Sequence, residues 1–368
     1  MPLLLGIAIL AFVLVSHQKL IRPVPVPAGP LPRYVLRETD SPYIVALSQN
    51  GAVIAVGQAS NDTYNPRKRQ PVPTMVYDAR TGAPLQEISV NYRADAIALS
   101  PDGRTIALQT FPGDITTRDV RTGHILHKIN AFAYYMAFSP NGRMLATSGP
   151  GTQIWDAATG RLLRTLISPR KPRPADDYPA GCNVAFSPDS KLLAYASDFR
   201  APVREQSPSQ ERGEQPQLWD VATGKLVRTL PGMFTAALAF SHDGRSLLCV
   251  QDKQHGQENQ IVLRRVNVRT GQVEWSLPHD EMEWAINSLA ASPKSTALAC
   301  QNGNHEVFMV SEKTGALLQK LVPPNADPRK DASWSNHSGL GFSGDGRTLV
   351  SRGGGGNTVS VWDVSAFR

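Results

Sequence analysis

Residues 137–166 read AFSPNGRMLATSGPGTQIWDAATGRLLRTL, and the fold is decided by this stretch. A short apolar segment ends at Ser139, and a turn at Asn141-Gly142 follows it. Asn and Gly tolerate positive φ, which a tight hairpin between two twisted strands requires. A second apolar segment, MLATS, leads to a third that ends at Trp155-Asp156. Thr159-Gly160 makes another turn, and RLLRTL completes the unit. Short apolar segments bounded by turn residues read as four antiparallel strands. The second is expected to alternate in the manner of a half-buried strand.

The unit recurs. Its opening hairpin reads ALSQNG at 46, ALSPDG at 98, AFSPDS at 185, AFSHDG at 239, AASPKS at 290 and GFSGDG at 341. The serines, Ser48, Ser100, Ser139, Ser187, Ser241, Ser292 and Ser343, are separated by 52, 39, 48, 54, 51 and 51 residues. Five copies carry Asn-Gly or Asp-Gly in the first turn, and six close the third strand with Thr-Gly. Trp219-Asp220 and Trp362-Asp363 repeat the strand ending, with Tyr77-Asp78 and Arg118-Asp119 as weaker versions. Four short strands in each repeat of about 40–50 residues describe one blade of a β-propeller.

With SPDGR-like turns and IWD, LWD and VWD endings, the chain resembles the WD-repeat β-propeller family in its bacterial style. The resemblance covers about residues 33–368 and implies an all-β, seven-bladed ring. The chain departs from the family in two ways. No Gly-His pair precedes the serines, and Tyr77, Arg118, Val266 and Val310 replace the Trp in four blades. The family's buried Asp-His-Ser/Thr-Trp network is therefore not expected, and stability is assigned to apolar packing between blades. The last copy ends after its third strand, while RYVLRET at 33–39 has no other home. These residues are expected to complete the seventh blade and remove an exposed edge. A monomeric ring is expected.

Ahead of the propeller, residues 1–18 contain the apolar run LLLGIAILAFVLV at 3–15, and 19–32 form a basic, Pro-rich linker. The run reads as an uncleaved membrane anchor helix, with a removed signal segment as the alternative. Basic residues follow the run, so the positive-inside rule favours a cytoplasmic propeller; cleavage would export it. Five prolines within 23–32 predict an extended, semi-rigid spacer. The net charge of +7 is misleading, because Lys19, Arg22, Arg33 and Arg37 all precede the first acidic residue, Glu38. The body beyond them is close to neutral, so no nucleic-acid partner is expected.

The turns joining strands one and two, and three and four, stay tight in every copy. All length variation falls in the two-to-three loops and between blades, at the opposite face: 58–73, 167–181, 198–216, 252–260, 278–287 and 322–338. Binding residues concentrate on loops held by a rigid scaffold. Arg67-Lys68-Arg69 and Arg170-Lys171-Arg173 make basic spots there, and Asp280, Glu281 and Glu283 make an acidic one. The six loops sum to −2, a two-signed face suited to a protein or peptide partner. Tyr64, Tyr178, Phe199, Trp284 and Trp334, together with Arg200, are its candidate contacts, since aromatics and Arg are favoured anchors.

Chemistry is thin. The three cysteines form no metal-ligand spacing, and Cys249 and Cys300 fall at equivalent places on neighbouring blades, too far apart for a disulfide. His124 and His127 are expected on opposite faces of a strand and cannot share a metal. No catalytic residue, metal or cofactor is expected. The alternative is a propeller enzyme or small-molecule binder, lactonase-like or quinoprotein-like, with a site at the central channel. For that reading the sequence offers only Asp114, Asn302 and His305.

Overall fold

The computed structural model describes residues 31–37, 41–59, 73–90, 94–110, 114–149, 151–166, 182–197, 214–230, 235–253, 260–278, 286–302, 305–323, 339–353 and 358–367. They form seven four-stranded antiparallel sheets. Strand β1 (Tyr34–Arg37) precedes blade 1 in the chain but belongs to the last sheet. Blade 1 is β2 (Ser41–Leu47), β3 (Val53–Ala59), β4 (Thr74–Asp78) and β5 (Pro84–Ile88). Blade 2 is β6 (Ala94–Leu99), β7 (Thr105–Thr110), β8 (Ile115–Asp119) and β9 (Ile125–Ile129). Blade 3 is β10 (Tyr135–Phe138), β11 (Met144–Ser148), β12 (Thr152–Asp156) and β13 (Leu162–Leu166). Blade 4 is β14 (Cys182–Phe186), β15 (Leu192–Ser197), β16 (Glu214–Asp220) and β17 (Leu226–Thr229). Blade 5 is β18 (Thr235–Phe240), β19 (Ser246–Lys253), β20 (Gln260–Asn267) and β21 (Val273–Pro278). Blade 6 is β22 (Ile286–Ala291), β23 (Ala297–Asn302), β24 (Val307–Ser311) and β25 (Leu317–Leu321). Blade 7 is β26 (Leu340–Phe342), β27 (Thr348–Arg352), β28 (Thr358–Asp363) and β1.

The closure expected from the two ends is present. β1 runs antiparallel to β28, with Tyr34 opposite Val361 and Arg37 opposite Thr358. Leu36 is buried there with Ile54, Val56, Val359 and Val361, at the interface between blades 7 and 1. One apolar cluster occupies each of the seven blade-to-blade interfaces. Packing between blades, not within one, is therefore the core.

This arrangement corrects the expectation of half-buried second strands. In β19, Leu247 and Cys249 pack toward blade 4, while Leu248 and Val250 pack toward blade 6. Both faces are covered because each sheet lies between two others, so the apolar residues run on without alternation. A second correction concerns the first turns. Only the glycine has positive φ, as at Gly103 (φ 71) and Gly142 (φ 71), while the Asn or Asp before it does not. In AFSPDS the role passes to Ser190 (φ 62).

A remnant of the Trp network survives. Trp155 Nε1 donates to Thr147 Oγ1 at 2.9 Å, and Trp362 Nε1 donates to Ser351 Oγ at 2.9 Å. In blade 4 the equivalent Trp219 bonds Gln217 on its own strand, at 3.2 Å. The anchor segment 1–18 lies outside the described residues, as does all of the linker but Leu31 and Pro32. Among the described residues no helix is long and apolar enough to cross a membrane.

Candidate functional site

The strands bring two different surfaces to the two ends of the ring. At one end lie all the first-to-second and third-to-fourth turns, each within the described residues. At the other end the chain leaves for its long segments. All twelve contacts expected from the sequence belong to those segments and lie outside the described residues. Tyr64 and Arg67–Arg69 fall between β3 and β4; Arg170, Lys171, Arg173 and Tyr178 between β13 and β14; Phe199 and Arg200 between β15 and β16. Trp284 falls between β21 and β22, and Trp334 between β25 and β26. Some strands reach further than the sequence reading allowed: β16 begins at Glu214, β19 runs to Lys253 and β20 begins at Gln260.

The turn end is built by one repeated device. In six blades the buried serine hydroxyl donates to the Asn or Asp two residues on, at 2.6–2.7 Å. The same oxygen accepts the backbone N–H five residues on, at 2.9 Å. Asn50 and Asn141 serve as well as Asp, so the turn needs an amide or carboxylate oxygen rather than a charge. Blade 6 has Lys294 in that place, and Ser295 donates to Ser292 instead, at 3.0 Å. Neighbouring turns also join: Asn50 N donates to Pro101 O at 2.8 Å, and Gly344 N to Gln49 O. A Cβ on Gly51 would stand 3.0 Å from that of Ser343, so the inner turns are in contact around the ring.

A second ring of turns surrounds the first. Asp78, Asp156 and Asp220 each accept from the backbone N–H and hydroxyl of the following Thr, at 2.7–2.8 Å. These hydroxyl bonds hold the three carboxyls below the usual carboxylate range. The next blade's turn is gripped by a side chain from the fourth strand. Tyr34 OH donates to Ala79 O (2.5 Å), Arg164 to Ala222 O (2.9 Å), Arg228 to Arg269 O (2.9 Å) and Trp275 to Glu312 O (3.1 Å). His127 Nε2 faces Ala158 O at 2.8 Å and must carry the proton there. These five residues occupy one equivalent strand position. The sequence reading missed them because they share a donor and a reach but no residue type.

Exposed bases stud both rings. Arg104, Arg143, Lys191, Arg245, Lys294 and Arg347 lie on the inner turns. Arg80, Arg121, Arg161, Lys225, Arg269 and Lys313 lie on the outer ones. Their aspartates point back into the turns that they hold together.

One buried ionic cluster interrupts this pattern, between blades 5 and 6. Glu312, fully buried, stands where the other blades have Ala79, Val120, Ala157, Val221, Val268 and Val364. Its carboxylate accepts from His242 N (3.2 Å) and from Arg265 Nη1 (3.2 Å), and His242 Nδ1 lies 3.3 Å away. Arg265 also bonds Glu274 Oε2 at 2.6 Å. The ligand atoms of His242, Asp243 and Glu312 lie within 4.8 Å of one another, close enough for a metal ion. The guanidinium already supplies the positive charge, however, and Asp243 Oδ1 is taken by Ser241 and the N–H of Arg245. The cluster reads as a clamp between two blades.

The channel candidates do not form a site. Asp114 is exposed beside β8 in blade 2, whereas Asn302 and His305 lie in blade 6, which is not its neighbour. Asn302 commits both ends of its amide to Glu306, at 2.9 Å each, and His305 takes φ 64 in the same turn. Cys249 and Cys300 are free and buried, as equivalent core residues should be, and burial pushes the Cys249 thiol up to about 12.

No protein-family model matches the chain. The chain is 32% identical to the WD repeat-containing protein VIP3 of Arabidopsis thaliana over 113 residues, 28% of this chain and 35% of that one. It is 23% identical to THO complex subunit 3 of the same plant over 234 residues, 61% of this chain and 63% of that one. An uncharacterised WD repeat-containing protein of Synechocystis is 27% identical over 160 residues, 42% of this chain and 40% of that one. The chain thus spans less than two thirds of each of these relatives. Among solved structures, hydrazine synthase of Kuenenia stuttgartiensis superposes with a TM-score of 0.66 at 17% identity, covering 92% of this chain and 99% of that one. That likeness is one of fold. Sequence relatives and ring together bear out the resemblance to WD-repeat propellers.

Proposed function

We propose that this WD-repeat propeller is a non-catalytic scaffold that docks a protein or peptide on its loop-bearing face, and that residues 3–15 tether it to a membrane. One observation carries the docking reading: the two ends of the ring are unequal. Every blade keeps its turn end short and bonded to its neighbour, while all elaboration leaves from the other end. A rigid ring that presents varied loops is a scaffold for recognition. One relative is by name a subunit of a complex, which agrees with an interaction role. Lys19 and Arg22, just after the apolar run, favour a propeller on the cytoplasmic side.

The test is affinity capture from detergent-solubilised native membranes. The intact chain is compared with a variant whose segments 60–72 and 198–213 are cut to short Gly-Ser turns, leaving β3, β4, β15 and β16 whole. A protein enriched by the intact chain and lost with the variant supports the reading and identifies the partner. Equal recovery of the same proteins by both would remove the loop face from consideration.

A further inference from the structure

The turn end carries a second surface that the docking reading does not use. Its hairpin turns hold the twelve exposed Lys and Arg named above. The acidic residues at the same end are Asp78, Asp102, Asp119, Asp156, Asp189, Asp220, Asp243, Asp345 and Asp363, with Glu274 and Glu312, both paired with Arg265 in the clamp. Most of these carboxylates accept bonds within their own turns, and Asp363 also pairs with Arg33 at 3.3 Å. The bases extend into solvent beyond them, with Lys191 and Arg245 at the outer limit of ion pairing to Asp189 and Asp243, 3.9 and 4.0 Å away. The two ends thus differ in sign, with a positive excess on the turns against −2 on the six long segments.

The route of the chain says what this surface meets. β1 runs antiparallel to β28, so its Tyr34 end lies at the turn end, where Tyr34 grips the blade 1 turn and Arg33 meets Asp363. Everything that precedes residue 33, including the apolar run at 3–15, therefore joins the propeller at its basic face. We propose that this face docks on an anionic lipid bilayer, with the chain's own apolar run as the tether. The inference rests on the tether of the preceding reading and adds an orientation, with loops turned away from the bilayer and free for a partner.

Two features favour lipid over an acidic protein. The bases recur with the symmetry of the ring, which suits a laterally uniform surface better than one specific mate. The hairpin turns also contain no Phe, Tyr or Trp to act as anchors in a protein interface. The spacer at 23–32 can span about 30 Å when extended, several times the screening length of roughly 10 Å. The tether alone thus permits both a raised and a docked propeller, and the bases select the docked one.

The experiment uses the full chain in phosphatidylcholine vesicles with and without phosphatidylglycerol, both containing a headgroup-linked nitroxide quencher. A dye is placed at Ala158→Cys on an exposed turn, or at Asp114→Cys at the loop-bearing end, with the unsubstituted chain as labelling blank. The expected result is quenching at position 158 on anionic vesicles only, reversed by 0.5 M salt (roughly a 4 Å screening length), and none at position 114. Arg143→Gln with Lys191→Gln, both exposed, should lower the ratio of docked to raised protein on the order of 25-fold, about fivefold per charge. Unchanged thermal unfolding verifies that this variant is folded.

Chain that floats with vesicles but shows no quenching at 158, or equal quenching on neutral vesicles, would overturn the docking and leave the tether standing. Chain that does not float would remove tether and docking together. Saturable binding of poly-glutamate at 158 without quenching on vesicles would overturn the lipid assignment in favour of an acidic protein.

Discussion

The two ends of this ring have met opposite demands. At the turn end the blades repeat one design: a buried serine held to an Asn or Asp in six of them, a glycine in the first turn of five, and in five a side chain reaching across to the next blade's carbonyl. At the loop end, blades share only the strand ends from which unlike segments depart. The comparison teaches that sevenfold stability is stored at one end and in the blade interfaces, which leaves the other end free to vary.

The comparison is broken most severely through the core itself. Trp362, on β28 of the closing sheet, is buried between blades 6 and 7. Trp362→Ala is expected to cost about 3–5 kcal/mol, read from urea unfolding. A loss under about 1 kcal/mol would show that closure does not depend on this interface. Next is the ionic clamp, where Glu312→Ala removes one of the two carboxylates that hold Arg265, leaving Glu274 as the other, and should cost about 1.5–3 kcal/mol. Arg265→Met combined with Glu312→Val should restore most of that loss, because an apolar residue is what the other blades use. Failure of this pair to recover stability would mean that the charges do more than clamp.

Smaller effects sharpen the contrast. Ser139→Ala removes one turn's donor and acceptor and should cost about 1–3 kcal/mol. The pH dependence has a definite sign. The turn carboxyls are held below their ordinary value, so their stabilisation is present above about pH 4 and is lost as pH falls through the lower folded values. The urea midpoint should therefore hold at neutral pH and fall below about pH 4, and Asp156→Asn should weaken that dependence. A midpoint flat to about pH 2 would contradict the turn chemistry. The smallest change is expected at the loop end: shortening 60–72 should alter stability by less than about 0.5 kcal/mol.

Much of this architecture was legible in the residues. The recurring serine turn, Ser-x-Asx-Gly in five blades and varied in two, gave blade count and register because its hydrogen bonds are local, closed within six residues. The β1 closure was legible too, since one end lacked a strand that the other could supply. The latch position was not, because Tyr34, His127, Arg164, Arg228 and Trp275 look unrelated until their donors meet equivalent carbonyls. Glu312 was detectable in principle, as the lone acid in a column of Ala and Val, but its partner Arg265 lies on another blade. The site residues read from the loops belong to segments beyond the described strands, so their expectation stands as the proposal tested above.

Sequence alone determined the turns, the number of blades and the pairing of the two ends, since each follows from local hydrogen bonding or from counting strands. Tertiary structure decided which faces are buried, which charges are clamped and which end is basic. Those properties arise only when neighbouring blades come into contact, because an isolated blade has no partner for its apolar faces, and no linear pattern records which carbonyl a side chain will reach.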